Sequence, residues 1–376
     1  MKFETKAVHI GRHTDESTGA ITNPIHLSTT FEREADGTFP SGFIYSRMGN
    51  PNRNSLEECL AALEGGESAL SFSSGAAATS AIIQALKPNN HVIFPDDVYY
   101  GSIKIVKDIF SSWGIKYSIV DMTDVSAVEK AITHETKLIW IETPSNPLLK
   151  IVDIETIVNC AKKHNIISVV DNTWPTPVLQ NPILLGADLV LHSTTKYIGG
   201  NSDILSGAVV AAKNNEFFLR IAMIQKTMGA VPSPFECWLM LRSLPTLSIR
   251  VREQSLNAEK IASFLNNHPN VEIVNYPGLT THHGHEMAKK QMKGFGGMLS
   301  FHVKSTEKDA MKVAGQVKIF TRATSLGGPH SLIEHRASIE GPDSKTPVNL
   351  LRVSVGLEHV DDLIQDLDQA LSSLKK

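Results

Sequence analysis

Four short segments place polar side chains directly behind apolar, strand-like runs. The first, Ser73-Ser74-Gly75-Ala76-Ala77-Ala78, follows the run 69–72 and opens a helical pattern. Small residues at a helix start let backbone amides approach an anion, and the helix end favours negative charge. A plain Ser-Gly N-cap uses the same residues. The second, Glu142-Thr143-Pro144-Ser145-Asn146-Pro147, follows 138–141. Its prolines fix a turn that holds Asn146 at a strand end. In the third, Val169-Val170-Asp171-Asn172-Thr173, a carboxylate stands behind a buried run. That is costly unless a cation or donors meet it, as in a cap, a structural ion pair or a ligand site. The fourth is His192-Ser193-Thr194-Thr195-Lys196-Tyr197, where Lys196 lies 25 positions after Asp171, one strand–helix step later. A lone lysine is ordinarily a solvated surface charge. This one falls at the same sheet edge as Asp171.

One chemistry uses all four segments. A lysine joins pyridoxal phosphate (PLP) as a Schiff base, and an acid faces the pyridinium nitrogen. A small-residue helix start and nearby hydroxyls hold the phosphate, a task that Gly75, Ser193 and Thr195 suit. Tyr99, behind the run 91–94, is placed to stack on the cofactor ring.

These segments need a scaffold that lines up strand ends. Short apolar runs at 91–94, 117–120, 138–141, 167–170 and 189–191 alternate with helical patterns at 54–63, 76–86, 102–110, 125–132 and 154–164. Continuous apolar strands between helices predict a mainly parallel sheet covered on both faces. After about residue 212 the rhythm changes to long helical stretches, 215–227 and 235–267, broken near Pro245. Runs at 272–276, 298–303 and 351–355 and a last helix over 360–374 predict a smaller α+β unit. The expected division is an arm at 1–50, a large α/β domain at 51–245 and a C-terminal α+β domain at 246–376.

Composition removes several functions. The chain has 376 residues, with 39 acidic and 36 basic side chains and a net charge of −3. That balance offers no footprint for nucleic acid and no polybasic patch for lipid. No apolar stretch is long enough for a membrane span, and early charges interrupt any secretory leader. Cys59, Cys160 and Cys237 are few, odd in number and far apart. They predict buried structural thiols and a cytoplasmic setting. Thr281-His282-His283-Gly284-His285 has imidazoles but no accompanying acid cluster, so a solvated loop is expected there and no metal site.

The ordered motifs resemble the Cys/Met-metabolism family of PLP-dependent enzymes, which includes cystathionine γ-synthases, cystathionine β- and γ-lyases and methionine γ-lyases. The carriers begin with Tyr45-Ser46-Arg47, Gly49-Asn50-Pro51, Asp96-Asp97-Val98-Tyr99 and the four segments above. They continue with Tyr276-Pro277-Gly278-Leu279, Gly294-Phe295-Gly296-Gly297-Met298, Ser325-Leu326-Gly327-Gly328 and Arg352-Val353-Ser354-Val355-Gly356.

The resemblance implies the aspartate-aminotransferase-like fold (fold type I), a small amino-acid substrate and a homotetramer built as a dimer of dimers. It implies that Lys196 is the covalent and proton-moving lysine, Asp171 the pyridinium partner and Tyr99 the stacking ring and a proton-transfer group. Ser74, Gly75, Ala76, Thr173, Ser193 and Thr195 fall at cofactor positions, and Tyr45 and Arg47 reach a neighbouring subunit's phosphate. Arg352 is the clamp for the substrate α-carboxylate, with Asn146 and Ser325 helping to hold carboxylate and cofactor edge.

Some positions depart from the common pattern. Ala76 stands for a frequent Met, Tyr100 for a small residue, and Asn201 and Gln254 for His. Ile44 and His330 stand where γ-acting members often carry Glu near the distal end of the substrate. Their absence favours a β-lyase among cystathionine-cleaving carbon–sulfur lyases, with γ-lyase, γ-synthase, methionine γ-lyase or a catalytically silent scaffold as alternatives. His330 and His335-Arg336 are expected near the substrate entrance.

Overall fold

Runs of β-branched and aromatic residues bounded by turns form strands because their side chains pack well on a pleated surface. The computed structural model describes residues 1–341 and 345–374. The apolar runs form a seven-stranded sheet: β1 Ser68–Phe72, β2 His91–Pro95, β3 Lys116–Val120, β4 Thr136–Glu142, β5 Ile167–Asp171, β6 Leu189–His192 and β7 Gly207–Ala211. Its order is β1-β7-β6-β5-β4-β2-β3. From β6 to β3 every pairing is parallel, whereas β7 runs antiparallel to both of its neighbours.

Both faces of this sheet are covered. Phe94, Trp140, Val169 and Val209 bury one face with Ile82 and Ile83 of helix Gly75–Gln84. On the other, Ile139, Ile141 and Val170 meet Ile157 and Val158 of helix Ile154–Lys163. Val190 and Val210 pack with Leu56 and Leu60 of helix Pro51–Glu64.

A second sheet holds β8 Val271–Asn275, β9 Met298–Val303, β10 Thr321–Arg322, β11 Leu332–His335 and β12 Leu350–Ser354, in the order β10-β11-β12-β9-β8. Its pairings are antiparallel except β10 with β11. The last helix, Val360–Ser372, seals it with Leu363, Leu367 and Leu371.

Several elements differ from the sequence reading. The arm holds a short helix, Phe3–His9, whose Ala7 is buried in the core. The Pro-containing stretch 174–182, which has no sustained periodicity, contains a helical turn, Thr176–Leu179. The His-rich segment is a turn that is only partly solvated, with Thr281 and His283 exposed and His282 and His285 half-buried. There His282 Nδ1 accepts from Gly284 N–H at 3.0 Å, burial pushes His282 down to about 4, and His285 opens a helix to Gln291. All three cysteines are buried, and desolvation raises each thiol pKa, which suits inert core filling.

The chain order reverses between β2 and β4, so the connections beyond their carboxyl ends diverge. Open parallel sheets bind ligands in such crevices. Each of the four chemical segments emerges at or beside this edge.

Candidate active site

A cavity of about 690 Å³ opens at this edge. Its floor includes Asp171, Thr173 and Lys196. One end is built by Ser74, Gly75, Ala76, Ser193 and Thr195, and the other by Ser325, Asn146, Arg352, Arg336 and Glu340. Tyr99, Tyr100 and Glu142 line the wall between them.

Ser74 caps helix Gly75–Gln84 by accepting from Ala77 N–H at 3.0 Å. The amides of Gly75 and Ala76, in the first turn, have no intrahelical acceptor. A Cβ on Gly75 would lie 2.8 Å from Ser193 Cβ, so only glycine permits this closeness. Ser193 N–H donates to Thr173 Oγ1 at 2.9 Å, and the Ser193 hydroxyl has no partner among the described residues. The Thr195 hydroxyl differs from expectation, since it donates to Ser206 O at 3.0 Å. Free amides at a helix start with an open hydroxyl make a phosphate cradle.

Asp171 ends β5, in register with Glu142 of β4 and Leu191 of β6. Thr173 N–H donates to Asp171 Oδ1 at 3.0 Å, leaving Oδ2 for a ligand. Burial raises the Asp171 carboxyl, while Thr173 and the nearby His192 lower it. A buried carboxylate that still needs a cationic partner fits a protonated ring nitrogen. Tyr99 N–H donates to Glu142 Oε2 at 3.0 Å, and the Tyr99 ring folds back over Gly101. The residues present therefore fit PLP at both its ends.

Lys196 lies in the loop between β6 and β7. Burial, with Arg352 adding to it, pushes its amine down to about 8. Lys196 Nζ donates to Ser325 Oγ at 2.9 Å. Ser325 has φ of 86°, a backbone conformation that ordinarily favours glycine. That strain turns its hydroxyl to Lys196 while its carbonyl accepts from Arg352 Nη2 at 3.3 Å.

Arg352 of β12 faces Glu334 of β11 across the antiparallel pair, and Nη2 donates to Glu334 Oε2. Nη1 donates to Asn146 Oδ1 at 3.0 Å. The guanidinium is thus held on two sides with its plane fixed. Asn146 follows β4 in a turn with cis Thr143-Pro144 and Asn146-Pro147 bonds. Asp97 accepts from Leu148 N–H at 2.9 Å and from Ser145 Oγ, which pins this turn.

Tyr45 and Arg47 do not line this cavity. They sit in the arm, where Tyr45 is bridged to Thr30 and Arg47 Nη1 donates to Lys226 O. His330 is exposed outside the cavity, and His335 Nε2 is bonded to Val348 O at 2.6 Å, so of the expected entrance residues only Arg336 lines it. Glu334 and Glu340 were not foreseen. Neither carries a sequence signal beyond an ordinary acid near a short strand.

The model of the family described as Cys/Met metabolism PLP-dependent enzyme matches residues 4–372. The chain belongs to this family. Among its relatives, a cystathionine gamma-synthase of Mycobacterium leprae is 47% identical, covering 98% of this chain and 96% of its own. A cystathionine beta-lyase of Lactococcus lactis subsp. cremoris is 44% identical, with 98% of each chain covered. The crystal structure of metB from Corynebacterium glutamicum superposes with a TM-score of 0.97 at 43% identity, covering 100% of this chain and 99% of that one. The fold is accordingly the type I fold of PLP enzymes, and PLP is the cofactor of the Cys/Met-metabolism family to which the chain belongs.

Proposed function

We propose that the chain is a PLP-dependent carbon–sulfur lyase of methionine and cysteine metabolism, acting on cystathionine by β-elimination. The observation that carries this reading is the position of Lys196, a depressed, buried amine in the same cavity as Asp171 and the held Arg352.

Bound in the cavity, PLP supplies an electron sink for the bond broken at Cα. Arg352 takes the substrate α-carboxylate in a two-pronged contact, oriented by Glu334 and Asn146. Lys196 removes the Cα proton, since its lowered pKa leaves a usable neutral fraction near pH 7–8. Ser325 Oγ holds the amine in line between strokes. Tyr99 covers the ring and, with Lys196, returns a proton to the departing thiolate.

The absence of an acid at Ile44 and His330 favours elimination at Cβ. The γ-replacement reading, joining cysteine to an activated homoserine, is favoured by the M. leprae relative's name. A product assay separates them. Pyruvate with homocysteine from cystathionine supports β-elimination, and 2-oxobutyrate with cysteine indicates γ-elimination. Synthesis from an acyl-homoserine without cleavage indicates the synthase.

The assembly that goes with this reading is a homotetramer in the cytoplasm, with Tyr45 and Arg47 completing a neighbouring subunit's phosphate site. Arg47 stands outside its own cavity, bonded to Lys226. No helix among the described residues is long and apolar enough to cross a membrane.

A further inference from the structure

Arg336 follows β11 by one residue, and its side chain is only 7% exposed. Nε donates to Glu340 Oε1 at 3.0 Å, and Nη1 approaches Glu334 Oε1 at 3.4 Å. Nη2 donates to no described residue, although Arg336 lines the cavity. This is a buried cation with an open donor beside the substrate space. The reaction described above gives it no task.

The Glu334 carboxylate touches both guanidiniums, Arg352 through Oε2 and Arg336 through Oε1. The two cations are therefore about one carboxylate apart. The group Arg336, Arg352, Glu334 and Glu340 is charge-balanced, and Glu340, also in the cavity wall, lies on the far side of Arg336 from Glu334. Such a wall suits a ligand that brings one charge of each sign, rather than a dianion.

We propose that Arg336 and Glu340 form a subsite for the far end of the substrate, a second α-amino carboxylate. Arg336 takes the distal carboxylate through Nη2, and Glu340 takes the distal ammonium. In a thioether with an amino acid at each end, the α-carbons are joined through four atoms, an extended span of roughly 6–7 Å. That is the order of separation a bridging carboxylate imposes between two guanidiniums. The proposal rests on the cystathionine reading and deepens it, because it makes the second amino-acid end the feature that is selected.

The test edits the ligand first. The cofactor-loaded enzyme is mixed in stopped flow with L-cystathionine, S-(3-aminopropyl)-L-cysteine and S-(3-carboxypropyl)-L-cysteine. Dissociation constants are read from the rapid change in cofactor absorbance that precedes turnover. Each truncated ligand is expected to bind about tenfold or more weakly than cystathionine, the scale of one charge-assisted contact. Arg336→Gln should abolish the difference due to the carboxylate, and Glu340→Gln the difference due to the ammonium. Equal binding of all three ligands by the wild-type enzyme, or differences that survive in both variants, overturns the subsite. If cystathionine neither perturbs the cofactor nor gives product, the cystathionine reading fails and the subsite falls with it. If product forms without those differences, the subsite alone is wrong.

Discussion

Glu142 and Asp171 stand side by side at the carboxyl ends of two neighbouring parallel strands, in register. Burial raises both carboxyls, and the Asp171 charge raises Glu142 further, well above the usual range. The neighbouring charge makes Glu142 the harder of the two to ionise, which leaves Asp171 as the partner for a cation. Glu142→Gln should therefore leave cofactor affinity within about threefold, since the amide oxygen still accepts from Tyr99 N–H. Asp171→Asn should weaken it by about tenfold or more. Cofactor titration of both apoproteins checks this, and a Glu142→Gln loss as large as that of Asp171→Asn would reverse the assignment.

Capture of PLP should report the Lys196 pKa. The amine attacks only when neutral, and burial holds it at about 8. The rate of appearance of visible absorbance should rise about tenfold per pH unit below that value and level off above it. A lysine at its ordinary pKa would keep climbing to about pH 10.4. Lys196→Ala should abolish turnover, and borohydride should no longer fix cofactor to the peptide containing residue 196.

Arg352→Lys keeps a charge and loses the fork. We expect kcat/KM to fall by one to two decades, roughly 1.5–3 kcal/mol, mostly through KM, with the cofactor retained. Glu334→Gln should lower the melting temperature as well, because it leaves two buried guanidiniums short of a counter-charge. A kinetically silent Arg352→Lys would place the carboxylate clamp elsewhere.

Arg47→Ala should weaken PLP binding. Mixed under subunit exchange with inactive Lys196→Ala, it should restore part of the activity, since one site of the mixed dimer receives both wild-type residues. Proven exchange without recovery would mean that the arm does not serve a neighbour.

Asp97 gives a pH signature to the turn that carries Asn146. Burial pushes its carboxyl up from 3.8 to about 6. A raised acid stabilises the fold fully below its unfolded pKa, and that stability is lost as pH rises through the folded value. Between about pH 4 and 6, wild-type stability should therefore drop relative to Asp97→Asn, by about 3 kcal/mol at most. Parallel slopes of melting temperature in the two proteins would show that Asp97 is not the source.

The strand-end chemistry was legible because each segment sits behind an uninterrupted apolar run, and such runs become buried parallel strands. β7 escaped notice since three of the five residues in Gly207-Ala208-Val209-Val210-Ala211 are Gly or Ala, poor strand formers until a sheet closes around them. β11 escaped because Leu-Ile-Glu-His carries two polar residues. Glu334 is buried against the guanidiniums of Arg352 and Arg336, and His335 against the Val348 carbonyl. Helix His285–Gln291 has no apolar period at all. The meeting of Lys196 with Ser325 and of Asn146 with Arg352 spans separations of 129 and 206 residues, which no local pattern encodes. Lys196 and Asn146 stood out by their strand-end positions, Ser325 and Arg352 were named through family resemblance, and Glu334 and Glu340 gained their meaning from tertiary contacts alone.

Lys196 hangs from the first sheet and Arg352 rises from the second. An amino acid gripped by its nitrogen at one and its carboxylate at the other is a cross-tie between the two sheets. While it is bound, the seam between them is closed by the substrate's own covalent frame, and the ligand's affinity is added to the stability of that seam.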